Sequence, residues 1–166
     1  DPPALILSQS LTSGATEDEL RFFLGRLLKL LQRRLLLPLR LSPEDLGLVV
    51  GGLVRQFVPD YVPIGFAEKR IIAEAQQLSR VIPRKLHPQV FPLAMECASA
   101  SLEWGMVEET LWRCANRAGL LVAGRLRPAL AALRRLGAEA QLRELRLFAV
   151  SAEFAEQRRT LGTHLG

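Results

Sequence analysis

The chain of 166 residues carries 49% apolar, 23% charged and only 6% aromatic side chains, with a net charge of +5. Its length fits one domain or a tightly joined pair, with enough apolar residues for one sizeable core. Leucine and alanine supply that core, which argues against a sheet, and basic residues interleaved with Glu read as solvated helix faces rather than a nucleic-acid surface.

Residues 4–10, ALILSQS, are β-prone, and Thr12-Ser13-Gly14 reads as a turn. Thr16 and Glu19 are spaced as a capping box that opens a first helix from about Glu17 to Leu37, stopped by Pro38. In that helix Leu20, Phe23, Leu24, Leu27, Leu28 and Leu31 form an apolar stripe, while Arg21, Gly25, Arg26, Lys29 and Arg33 mark the other side. A second helix starts at Ser42-Pro43-Glu44-Asp45, with an N-cap, a first-turn proline and acids facing the dipole, and runs to about Phe57. Within it, Gly51-Gly52 lacks the Lys and Ser/Thr of a phosphate loop and reads as a site of close helix packing.

Pro59 to Gly65 is a loop, and a third helix spans about Phe66 to Val81, ended by Pro83. A fourth covers about Pro88 to Ser99, and a fifth runs from about Met106 to Val122 with Gly124 as its stop. A sixth, Arg127 to Leu136, ends at Gly137, and the last covers about Ala138 to Leu161. The pattern predicts a mainly α fold, a compact bundle of about six or seven helices with at most a small N-terminal β element. It is read as one domain over 1–166, excised from a longer protein because it opens at Asp1-Pro2-Pro3 without an initiator Met.

Chemistry-bearing residues are sparse. His87 and His164 have no ligand-spaced partner, and Cys97 and Cys114 read as buried free thiols of a reducing cytosol. The most apolar run, Leu20 to Leu37, is broken by Arg21, Arg26, Lys29, Arg33 and Arg34, so no transmembrane segment is expected. With no signal peptide visible, a cytoplasmic location follows. The excess of arginine over lysine reads as the bias of a GC-rich bacterial genome.

The strand-like run, the turn and EDELRFFLGRLLKLL together resemble the core of HtpX-like gluzincin metallopeptidases. There a β-strand precedes a helix of the form Glu-Leu-x-x-x-Leu-Gly-His-Glu-x-x-His, and Glu19, Leu20, Leu24 and Gly25 match that frame. The family's second metal-binding helix carries Glu-x-x-Ala-Asp-Arg-Ala-Gly; Ala115, Asn116, Arg117, Ala118 and Gly119 follow the same order. The resemblance covers these two helices and their flanks.

It implies a degenerate minigluzincin core. The first ligand histidine falls on Arg26, the general-base glutamate on Leu27, the second histidine on Leu30, the ligand glutamate on Trp112, and the aspartate that bonds a ligand histidine on Asn116. A catalytic zinc site needs about three N, S or O ligands, and these positions supply none. The resemblance therefore implies a pseudoenzyme with no catalytic residue, no metal and no cofactor. Leu27, Leu30 and Trp112 are expected to fill the space as core, with Arg26 turned to solvent or to an acid. A peptidase cleft holds extended peptide against an edge strand, which Leu5, Ile6 and Leu7 would supply here. The function implied is a non-catalytic protein-interaction or scaffolding module in a larger bacterial protein, its partner a protein or another domain of the same polypeptide. The alternative is an unrelated all-helical regulatory or adaptor domain that binds a protein partner. Nothing in the sequence fixes an oligomeric state.

Overall fold

The structure is a computed structural model and describes residues 7–36, 38–100 and 102–162. Every regular element among them is helical, in line with the mainly α expectation. Contacts group the protein, which the sequence alone presents as one domain, into two compact units: Asp1–Leu36 with Thr110–Gly166, and Leu37–Glu109.

The first unit begins with α1 (Gln9–Thr12), a single turn whose N-cap Ser8 accepts a hydrogen bond from the Leu11 N–H. Gln9 and Ser10 are thus helical, which corrects the end of the strand expected over 4–10, whose residues 4–6 lie outside the described residues: the Ser8 side chain offers the backbone a cap in place of a ladder. Leu7 belongs to no strand, and Leu5 and Ile6 lie outside the described residues. Arg135 then ties down the following turn by donating to the carbonyls of Ser13 and Gly14 at 3.1 and 2.8 Å.

Helix α2 (Glu17–Gln32) opens on the expected capping box, with Glu19 N–H donating to the Thr16 hydroxyl at 3.3 Å and Thr16 N–H to the Glu19 carboxylate at 2.7 Å. It stops short of Leu37. Arg34 turns to φ 55°, Leu35 N–H reaches the Leu30 carbonyl at 2.9 Å, and Arg34 N–H reaches that of Leu31 at 3.0 Å. This double closure satisfies the last carbonyls of the helix. A non-glycine residue there costs about 1–2 kcal/mol, so composition does not advertise the stop.

The unit is completed by the C-terminal part of α6 (Trp104–Ala123) and by α7 (Leu126–Arg135), α8 (Leu142–Ala149) and α9 (Ala152–Thr160). The single last helix expected over Ala138–Leu161 is three pieces, a 3₁₀ turn at Glu139–Gln141 followed by α8 and α9. Ser151 breaks it, accepting from Phe154 N–H at 3.2 Å and donating to the Phe148 carbonyl at 2.7 Å. A serine hydroxyl that serves both ends competes with helix continuation.

Phe22, Phe23, Leu120, Leu133, Leu145 and Phe148 form the heart of this unit's core. The buried positions of α2 are Glu19, Phe22, Phe23, Gly25 and Leu30, whereas Leu24 and Leu28 of the expected stripe are 39% and 54% exposed. The glycines account for the shift. A Cβ on Gly25 would lie 2.8 Å from Val122 Cβ and 3.1 Å from Gly119 Cα, and one on Gly119 would lie 2.8 Å from the Phe22 carbonyl oxygen. Helices α2 and α6 therefore cross with their backbones in contact, while α2 also packs on α7. A helix held by two neighbours buries two faces, and the one against α6 is defined by an absent side chain.

The second unit packs α3 (Pro43–Arg55), α4 (Glu68–Val81) and α5 (His87–Ser99) around Leu46, Val54, Ile71 and Ala94. Gly52 lets α3 approach α4 closely, since its Cβ would sit 3.0 Å from the Ala75 backbone nitrogen. Arg55 closes the α3–α4 loop, donating to the Tyr61 carbonyl at 3.2 Å and to Glu68 at 2.7 Å. Cys97 on α5 is half-buried, whereas Cys114 on α6 is exposed rather than buried. It lies off the row of Ala115, Asn116 and Gly119 that α6 encloses.

Gly119→Ala should destabilise the protein by roughly 1–3 kcal/mol, because the new methyl meets the Phe22 backbone and cannot displace it cheaply. Gly105→Ala, with nothing within 4 Å of the new carbon, should be neutral or stabilise by up to about 1 kcal/mol. Urea unfolding of the two variants against the parent checks the contrast.

Candidate functional site

The α2–α6 crossing brings together side chains one step beyond the two glycines. Trp112, Asn116 and Gly119 recur at helical spacing on α6, and Arg26 follows Gly25 on α2. Arg26 Nε donates to Asn116 Oδ1 at 2.8 Å, and the guanidinium carbon lies 4.2 Å from the centroid of the Trp112 ring. Asn116 is fully buried, and its Nδ2 donates to Gln141 Oε1 at 2.5 Å. The amide orientation is fixed by its partner: Arg Nε can only donate, so the oxygen must face it.

Arg26 is half-buried. Burial pushes its guanidinium down to about 10, which leaves it charged at neutral pH. The expectation that it turns to solvent or to an acid is not met. The Trp112 face takes up the charge instead, an interaction worth about 2 kcal/mol when desolvated. Leu30 is buried, while Leu27 and Trp112 are half-buried. Arg26, Trp112 and Asn116 are thus brought into one cluster, and Leu30 joins the core of the same helix.

Two neighbours were not singled out in the sequence. Gln141 completes the hydrogen-bonded series from a 3₁₀ turn distant in sequence, and nothing in its local context marks it. Arg117, next to Asn116, pairs with Glu144 at 2.7 Å and Glu153 at 3.0 Å and stacks 4.5 Å from the Phe148 centroid, joining α6 to α8 and α9. Its place in the motif frame was the available signal.

The donor set does not fit zinc. A guanidinium has no lone pair to give, and the oxygen of Asn116 is already engaged by Arg26. Among the described residues no group of three or more His, Cys, Asp or Glu side chains converges elsewhere. The cluster is suited to holding charge and to recognising anions, and it contains no base or nucleophile for bond cleavage.

No protein-family model, curated protein or solved structure matches this protein.

Asn116→Ala should lower unfolding stability by about 2–3 kcal/mol, since it removes a fully buried side chain that bridges Arg26 and Gln141. A double-mutant cycle with Arg26→Gln and Trp112→Ala should return a favourable coupling of about 1 kcal/mol by denaturant unfolding.

Proposed function

We propose that this protein is a non-catalytic, pseudo-metallopeptidase domain that serves as a protein-interaction or scaffolding module within a larger bacterial protein of the cytoplasm. The observation that supports it most is the Arg26–Trp112–Asn116 contact, since all three positions are ones the gluzincin resemblance assigns to a single metal site. Gly25 and Gly119, which belong to the same motif frame, meet at the helix crossing beside it. In such a core, metal-bridged helices give way to helices held by backbone contact, a cation–aromatic stack and a buried amide. A module of this kind keeps a shaped surface for a partner and has no need of the reaction.

No helix among the described residues is long and apolar enough to cross a membrane. A second reading, an unrelated all-helical regulatory or adaptor domain, is favoured by one observation: Gln9 and Ser10, the end of the run that the resemblance expects as a strand, lie in a helical turn.

Restoring the lost ligands separates the two readings. The variant Arg26→His, Leu27→Glu, Leu30→His, Trp112→Glu places two histidines one turn apart on α2 and a carboxylate on the facing helix. In a gluzincin frame it should take up one zinc ion per protein molecule with a dissociation constant of about 1 μM or tighter, because three protein ligands complete a site of catalytic type. Isothermal titration with zinc, with circular dichroism to verify folding, is the readout. A folded variant that binds no zinc refutes the peptidase-like reading and leaves the adaptor reading.

A further inference from the structure

The guanidinium of Arg26 has three usable faces, and the fold occupies two of them. Its Nε edge bonds Asn116 and its plane lies on Trp112. The remaining edge, formed by the two terminal nitrogens, takes no acceptor from the described residues, and no carboxylate among them pairs with Arg26. Other arginines of this unit show what is missing: Arg117 holds both Glu144 and Glu153, and Arg125 holds Asp18. A half-buried cation without a counter-charge is costly, and burial alone accounts for its lowered pKa. Stacking on an aromatic ring and a fixed Nε bond leave the fork pre-oriented, the arrangement that suits two-point recognition of a carboxylate.

We propose that the free edge of Arg26 is a binding position for a carboxylate of a partner protein, held by two parallel N–H···O bonds while Trp112 and Asn116 keep the guanidinium plane fixed. The inference deepens the interaction-module reading and rests on it for the nature of the partner. The chemistry comes from either of two sources, the terminal α-carboxylate of a polypeptide or an Asp or Glu side chain. The positive net charge of the protein favours the approach of an acidic segment of either kind.

The test uses the whole protein carrying Trp104→Phe, so that Trp112 is the one remaining indole, and follows the Trp112 indole N–H and Arg26 Nε–H signals by nitrogen–proton NMR. Three probes are added at constant ionic strength: N-acetyl-Ala-Ala with its terminal carboxylate free, N-acetyl-Asp-Ala amide, and the fully neutral N-acetyl-Ala-Ala amide. Saturable shifts with one or both acids, with half-saturation at about 1–10 mM, and none with the neutral amide are the expected result. The acid that acts identifies the source. Arg26→Gln, which keeps a donor toward Asn116, should abolish the response. Arg26→Lys, which keeps the charge but loses the fork, should weaken it at least about tenfold. The proposal is overturned by equal shifts with the neutral amide, by no response to either acid, or by a response that survives in Arg26→Gln or is undiminished in Arg26→Lys. The zinc-restoration variant reports separately on the peptidase-like frame, so a failure here beside successful zinc uptake removes the carboxylate position alone.

Discussion

The first structural unit depends on the contact between Gly25 and Gly119. With no Cβ on either residue, α2 and α6 approach until backbone meets backbone, and one added methyl would stand 2.8 Å from the Phe22 carbonyl oxygen. That approach encloses Phe22, Ala115 and Leu120 and turns the next residue on α2, Arg26, onto the α6 face. Without it the guanidinium would have no aromatic plane to lie on, and Asn116 would be a buried amide in need of another partner. Packing at the crossing and electrostatics at the cluster are therefore one constraint seen at two positions.

A guanidinium is an expensive group to carry into a helix interface. Three contacts offset the cost here: the Trp112 face, the Asn116 oxygen, and the extension of that bond to Gln141. None of them neutralises the charge. The guanidinium is therefore held in place by a ring face and an amide rather than by a counter-charge. Arg26, Trp112, Asn116 and Gln141 act on one another through hydrogen bonds and a ring face, with the guanidinium as the one charged group among the four.

Much of the fold was legible because its boundaries have local chemistry. Thr16 with Glu19, Ser42 with Pro43, Pro83, Gly124 and Gly137 each mark an end that the backbone obeys. The misses share a cause, a local signal overruled by a side chain or by a distant contact. Arg34 ends α2 in a conformation that sequence assigns to glycine, and Ser151 divides the last helix because its hydroxyl serves two backbone groups at once. Ser8 caps a helical turn inside a run whose composition suggests a strand. The cluster itself was half legible. Its members follow from the motif frame, but counting Gly25 with the polar side of α2 concealed that this side is an interface, since hydrophobic patterning scores side chains and a glycine contact is made by the lack of one. Gln141 gave no sign at all.

Proton–proton NOE spectroscopy on the isotope-labelled protein measures the crossing most directly. A strong cross-peak between the α-protons of Gly25 and Gly119, together with Arg26 side-chain protons shifted upfield by the Trp112 ring, is the result this description requires. Absence of that cross-peak in the folded protein, with Arg26 protons at their ordinary positions, would contradict it.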